Sequence, residues 1–255
     1  MSADRIAGRT AVVTGAGNGL GLAIAARLSE SGARVVLVGR SAAKLADAAA
    51  RLSEESRVVV CDVADPESVS ALAAELADED VSILVNNAGI AGPVADLVDI
   101  EPDAWDEVFA TNVRGVYLMS RALLPSMILR GAGDVINLAS VSGKRPLARR
   151  TPYTASKMAV IGLTATLAWE VGPLGINVNS LSPGPVEGER MTRNFTRDAA
   201  ATGSSPEQAR EAFVSRAALH RMVTEAEVAD AVAAMLHMPG LCGADIDLSA
   251  GMIAR

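Results

Sequence analysis

The sequence predicts a single α/β domain built on a doubly wound parallel sheet. Seven short β-branched runs recur along its 255 residues, separated by Ala-, Leu- and Glu-rich stretches long enough for helices. Half of the residues are apolar but only 3% are aromatic, so the core is made of Ala, Val, Leu and Ile. Such a core suits helices lying close on a sheet. Strand–helix alternation, with strands apolar on both faces, marks a parallel sheet.

The runs are Thr10–Thr14, Arg34–Val38, Arg57–Val60, Val81–Val85, Asp134–Leu138, Ile176–Leu181 and Ala244–Leu248. Right-handed crossovers are expected between them. No internal repeat or low-complexity linker divides the chain, so residues 1–255 read as one domain. Residues 184–216 break the rhythm: they are polar, contain glycine and exceed an ordinary connection. Ser205-Pro206-Glu207 reads as a helix start within them. A segment of this length after a strand end is expected to be a substrate lid, against the plainer alternative of a surface excursion.

After the first run comes TGAGNGLG, Thr14 to Gly21, opening a helix. Gly15 permits a sharp turn, Gly19 lets the backbone approach a pyrophosphate, and Gly21 lets the helix pack on the strand. The helix then offers free N–H groups and its positive dipole end to phosphate. A glycine loop alone is also a tight βα turn. Its place at the first βα junction favours a dinucleotide. The second run ends in Gly39-Arg40, where a carboxylate would bind the ribose 2′-OH of NAD. A guanidinium instead pairs with a 2′-phosphate, with Ser41 and Lys44 close by, so NADP is favoured over NAD. The alternative is a solvated Arg40. Ser41 to Lys44 also matches S-x-x-K, but neither SDN nor KTG follows and no G-x-S-x-G exists, so Ser41 is expected to start a helix.

The net charge of −7 argues against a nucleic-acid partner. Residues 1–10 lack an apolar signal region and no apolar run reaches membrane-span length, so no membrane association is expected. Only Cys61 and Cys242 are present, which fits a reduced cytoplasm. His220 and His237 are far apart in sequence and no CxxC or HExxH occurs, so no metal site is expected.

Further motifs follow in order: Asp62-Val63 at the end of the third strand, NNAG at Asn86–Gly89, WDxxxxxN from Trp105 to Asn112, Ser140 expected to end the fifth strand (DVINLAS), YxxxK at Tyr153 and Lys157, and Pro183-Gly184. With the glycine loop, these make the sequence resemble the classical short-chain dehydrogenases/reductases from about Gly8 onward. The resemblance implies a single-domain Rossmann fold, a seven-stranded parallel sheet flanked by helices. It implies catalysis by Asn112, Ser140, Tyr153 and Lys157. It implies cofactor contacts from Gly15, Asn18, Gly19, Leu20, Arg40, Asp62, Val63, Asn87, Ala88, Gly89, Tyr153, Lys157, Pro183, Gly184 and Val186. Asp62 would meet the adenine, and Pro183-Gly184 would close over the nicotinamide. Asn112 would hold a water linking Lys157 to solvent. A homotetramer or homodimer is implied, packed through the helices carrying Asn112 and Tyr153, with Ala155, Val160, Leu163 and Leu167 as spare apolar residues. Two departures stand out. No Thr follows Pro183-Gly184 closely enough to hold the carboxamide, Thr192 being too distant, and Ala250 stands where the family commonly has Gly.

The chemistry is legible in the residues. Oxidising an alcohol needs a base for the proton, because the nicotinamide takes the hydride. A free tyrosine is a poor base near neutral pH, but residues four apart on a helix share a face. An ammonium 4 Å from a phenolate at an effective dielectric of 20 favours it by about 4 kcal/mol. Tyr153 is therefore the expected general acid/base, with Ser140 bonding the substrate oxygen. Lys144, Arg145, Arg149 and Arg150 lie between Ser140 and Tyr153, and Arg190, Arg193 and Arg197 lie in the lid segment. This local excess suggests an anionic substrate group, as in a hydroxy acid, sugar acid or sulfonate, bound by Arg145, Arg150, Arg190 or Arg193 beside Ser140 and Tyr153. Solvated surface arginines are the plainer alternative. Within the family the rival is a 3-ketoacyl-carrier-protein reductase. Outside it the rival is a non-catalytic dinucleotide sensor, which the presence of all four catalytic residues opposes.

Overall fold

A computed structural model describes residues 4–53 and 56–253, excluding the side chains of residues 189–190, 193, 197–198 and 201–202. The strands are β1 (Thr10–Thr14), β2 (Arg34–Gly39), β3 (Ser56–Val60), β4 (Val81–Asn86), β5 (Gly133–Leu138), β6 (Ile176–Pro183) and β7 (Asp245–Leu248). They form one sheet in the order β3-β2-β1-β4-β5-β6-β7, and every neighbouring pair is parallel. The helices are α1 (Gly19–Glu30), α2 (Ala42–Ala49), α3 (Pro66–Glu75), α4 (Pro102–Phe109), α5 (Gly115–Arg130), α6 (Thr151–Val171), α7 (Glu189–Thr202), α8 (Pro206–Val214) and α9 (Glu225–Leu236).

The strands are apolar on both faces because both faces are covered. Ala11, Val13, Ile83 and Val85 point to the layer of α1, α2 and α9, packing with Ile24, Leu28, Leu45 and Val232. Val12 and Leu84 point the other way, to the layer of α3, α5 and α6, against Leu72, Met119, Met127 and Ala168. Full burial of each Val or Leu side chain contributes about 1.5–3 kcal/mol. Gly21 shows how close the first helix comes: a Cβ there would lie 2.1 Å from the Gly15 carbonyl oxygen. Any side chain would lift α1 off its strand.

Helix starts follow the sequence. Ser41 caps α2 by accepting from Lys44 N–H. Pro66 opens α3 behind the Asp65 cap. Ser205 and Gln208 form a reciprocal capping box at α8, as Thr224 and Glu227 do at α9. Arg221 grips Glu227 at 2.6 and 2.8 Å. That guanidinium, with the Thr224 N–H, holds the Glu227 carboxyl down at about 2.

The structure corrects two local expectations. Ser140 does not end a strand: β5 stops at Leu138, and Ser140 caps a short 3-10 turn over Val141–Gly143. Its hydroxyl accepts from Ser142 N–H at 3.1 Å, which draws the chain out of the sheet. Val160 is no spare surface residue; it is fully buried against Val116 and Ala139. The large exposed apolar groups on α5 and α6 are Tyr117, Leu129, Met158 and Trp169. Residues 184–216 fold as α7 and α8 around a separate small cluster of Met191, Phe195, Val214 and Met222.

Candidate active site

β1 lies between β2 and β4, so the crossover after β1 winds away from the one after β4. A crevice opens where they part, beyond the strands' C-terminal ends. Thr14, the last residue of β1, fixes its floor. Its hydroxyl oxygen accepts from the N–H groups of Asn87 and Ala88, both at 3.0 Å. The Asn87 side-chain amide donates back to the Thr14 carbonyl at 2.9 Å. Gly15 is needed beside them, since a Cβ there would come within 3.0 Å of Ala88 Cα.

The resulting cleft has a volume of about 800 Å³, and every cofactor residue expected from the sequence lines it. The residues present fit a dinucleotide. Asn18 precedes α1 in an extended conformation and its side chain makes no cap bond. The N–H groups of the first turn therefore stay open to an anion. Arg40 is exposed on the cleft wall, and its guanidinium has no partner among the described residues. Lys44 packs beside Gly17, whose Cβ would lie 3.1 Å from the Lys44 Cβ. The Asp62 carboxylate is oriented by accepting from Ala64 N–H at 3.0 Å.

At the other end of the cleft stand Ser140, Tyr153 and Lys157. Pro152 starts α6, and the four-residue spacing brings Tyr153 and Lys157 to one face. Lys157 is buried and donates to the Leu138 carbonyl at 2.7 Å. Its ammonium is 5.9 Å from the Tyr153 ring centroid. The Arg150 guanidinium lies at the same 5.9 Å distance. Two cations thus flank one phenol.

Asn112 sits in a π-helical turn over Ala110–Arg114 that joins α4 to α5. It is 1% exposed and lies behind the cleft wall, where Thr111 is the lining residue. Its side-chain oxygen accepts from Ile90 N–H at 2.8 Å. Its amide donates to the Ile90 carbonyl at 2.9 Å and to Ser156 Oγ at 3.0 Å. Ser156 Oγ in turn donates to the Tyr153 carbonyl at 2.8 Å. Asn112 therefore ties the β4 loop to the first turn of α6. Gly89 admits both groups: its Cβ would lie 3.1 Å from Asn112 Oδ1 and 3.6 Å from Lys157 Nζ.

The basic cluster is placed differently from the catalytic set. Lys144 is enclosed by Asp245 and Asp247. Arg149 donates to the Val94 carbonyl and approaches Asp96 at 3.8 Å. Arg150 donates to the carbonyls of Gly92 and Pro93. Arg145 is half-buried, has no hydrogen bond or ion pair from its guanidinium among the described residues, and faces Arg216. Burial and then Arg145 push the Arg216 guanidinium below its ordinary value. The side chains of Arg190 and Arg193 lie outside the described residues. The sequence reading missed Thr14, Ile90 and Ser156 as organisers, and Glu187, Gly188 and Glu225 as lining residues. Thr14 alone carried a signal, being the polar end of an apolar strand.

Residues 9–200 match the short chain dehydrogenase family, and the chain belongs to it. A galactitol 2-dehydrogenase (L-tagatose-forming) of Cereibacter sphaeroides is 45% identical over 190 residues, covering 72% of this chain and 74% of that one. A 3-oxoacyl-acyl-carrier-protein reductase of Vibrio harveyi is 38% identical over 193 residues, covering 75% of this chain and 78% of the other. The crystal structure of L-sorbose reductase from Gluconobacter frateurii, complexed with NADPH and L-sorbose, superposes with a TM-score of 0.91 at 27% identity over 99% of each chain. The protein is thus an oxidoreductase acting on CH–OH groups with a nicotinamide cofactor. Among the described residues no helix is long and apolar enough to cross a membrane.

Replacing Asn112 by Ala orphans both backbone groups of Ile90. Ile90 is half-buried on the cleft wall and each lost hydrogen bond is worth about 0.5–1.5 kcal/mol, so urea melts should show a loss of about 1–3 kcal/mol.

Proposed function

We propose that the protein interconverts a secondary alcohol and a ketone, using NADP in preference to NAD, with Tyr153 as general acid/base. The observation that carries this is the phenol of Tyr153 in the cleft, flanked by the ammonium of Lys157. The nicotinamide, when bound, supplies the hydride acceptor for oxidation and the donor for reduction. The chain's own residues do the rest. Ser140 bonds the substrate oxygen and stabilises charge there. Tyr153 takes or gives the hydroxyl proton, and Lys157, buried beneath, holds its ammonium beside the phenol. Asn112 holds Ile90 and the start of α6 in register, and a water at Asn112 would link Lys157 to solvent.

The lid reading of residues 184–216 is supported by the separate cluster under α7 and α8. Its attachment includes a single bridge between Val186 and Val223. Arg145 supports a small anionic hydroxy compound as substrate, since its guanidinium meets no carboxylate among the described residues. A second reading, reduction of a 3-ketoacyl thioester on a carrier protein, is favoured by the Vibrio harveyi relative. Exposed Tyr117, Met158 and Trp169 on α5 and α6 support a homotetramer or homodimer packed through these helices. Both cysteines are free thiols, which supports a reducing compartment such as the cytoplasm.

Four measurements test this reading. A panel of galactitol, L-sorbose, xylitol, 3-hydroxybutyrate, a hydroxysulfonate and an acetoacetyl thioester, run with both cofactors, should give turnover with at least one member. Cofactor binding without any turnover would point to a sensor instead. Tyr153→Phe should abolish that turnover and spare cofactor binding; retained turnover overturns the mechanism. Arg40→Ala should weaken NADPH binding about tenfold or more, as expected for a lost charged contact, and leave NADH binding nearly unchanged. Light scattering should give a multiple of the chain mass, and a single-chain mass removes the assembly proposal.

A further inference from the structure

Lys144 follows the Val141–Gly143 turn and is the first basic residue after Ser140. Its side chain is 7% exposed. The ammonium meets Asp245 at 2.5 Å and also contacts Asp247, both on β7. The other oxygen of Asp245 accepts from Ser180 Oγ at 2.8 Å and Ser182 Oγ at 2.7 Å, both on β6. One carboxylate therefore gathers two strands and the turn beside Ser140. An enclosed ammonium with two carboxylate partners is not available to a substrate anion. A buried ion pair also adds little net stability over an apolar replacement. What it fixes is position.

The turn transmits that position to Ser140. Gly143 N–H donates to the Ser140 carbonyl at 2.9 Å, and Lys144 N–H to the Val141 carbonyl at 3.0 Å. Ser142 N–H holds the Ser140 hydroxyl itself. On its other side the turn presses on α6, where a Cβ on Gly143 would lie 3.0 Å from the Lys157 carbonyl carbon. The turn is thus wedged between the helix of Tyr153 and Lys157 and the edge of the sheet. Ser182, held by the same carboxylate, directly precedes Pro183-Gly184 on the cleft wall.

We propose that Lys144 is a positioning residue for Ser140: its ammonium, clasped by Asp245 and Asp247, fastens the turn that aims the Ser140 hydroxyl at the reacting oxygen. The proposal rests on the reading of Ser140 given above, and it goes beyond that reading by assigning the anchor. The test uses the full-length protein and the fastest member of the substrate panel, comparing Lys144→Met, Lys144→Arg, Ser140→Ala and the Lys144→Met/Ser140→Ala pair. Lys144→Met should lower kcat at least about tenfold, as small misplacements of a reacting group do, with NADPH affinity unchanged. Lys144→Arg should restore most of it. In the Ser140→Ala background, Lys144→Met should cost less than about a further twofold, because both changes act through one hydroxyl.

Full additivity of the two losses overturns the proposal, as does an unchanged kcat or a loss confined to cofactor binding. If Lys144→Met does not fold, Asp247→Asn replaces it, since it keeps the Asp245 pair. A fall in kcat absent from the Ser140→Ala background supports the proposal, and an unaltered kcat sinks it. Tyr153→Phe, measured alongside, separates the two levels. Turnover that survives Tyr153→Phe removes the catalytic reading and the Lys144 role with it. Turnover that needs Tyr153 but ignores Lys144 removes the positioning role alone.

Discussion

The parting of β1 and β4 is the constraint on which the rest depends. Two adjacent parallel strands send their crossovers to opposite sides of the sheet, and the gap between them cannot be closed by backbone. Thr14 turns that gap into a defined surface. Its single hydroxyl oxygen accepts from two consecutive N–H groups of the β4 loop. Asn87 N–H also reaches the Val85 carbonyl at 3.1 Å, so the hydroxyl and the end of β4 hold this loop together. From this junction the glycine loop goes one way to the uncapped start of α1, and Asn87–Gly89 goes the other way to Asn112 and Lys157. The cofactor end and the catalytic end of the cleft share one anchor.

The two ends are held by different physics. At the glycine loop, the absence of side chains does the work: a Cβ on Gly21 would fall 2.1 Å from the Gly15 carbonyl oxygen, and Gly15 itself has a φ of +67°. At the catalytic end, buried amides and hydroxyls do it. Asn112, Ser156 and Tyr153 form one chain of bonds, and Asn86, Asn137 and Thr164 form another between β4, β5 and α6. Such networks specify one arrangement because a shifted alternative leaves polar groups unpaired in a low-dielectric interior.

Much of this was legible in the sequence, for physical reasons. A strand buried on both faces must be apolar throughout, so all seven runs were visible and their ends erred by a residue or two. β6 runs on through Pro183 because that residue still pairs with Leu248, which periodicity does not show. The four residues proposed for catalysis were legible because each falls on a short motif of the family the sequence resembles. The partners of the arginines were not. Arg149 and Arg150 turn to the carbonyls and carboxylate of residues 92–96, more than fifty positions away. Lys144 turns to Asp245, across 101 residues. Lys144, Arg149 and Arg150 therefore read as free charge, because their partners lie where only the folded chain brings them. The π-turn at Asn112 was equally hidden, since its composition is that of any helix.

The separate cluster under α7 and α8 has a consequence for how the chain can be altered. Met191, Phe195, Val214 and Met222 pack mainly with one another, and Phe195 meets Phe213 edge to face at 5.5 Å. Among the described residues, that cluster draws its members from α7, α8 and the segment before α9. This pair of helices is mechanically a cassette: it can be recut, lengthened or exchanged while the two main layers on the sheet keep their own packing.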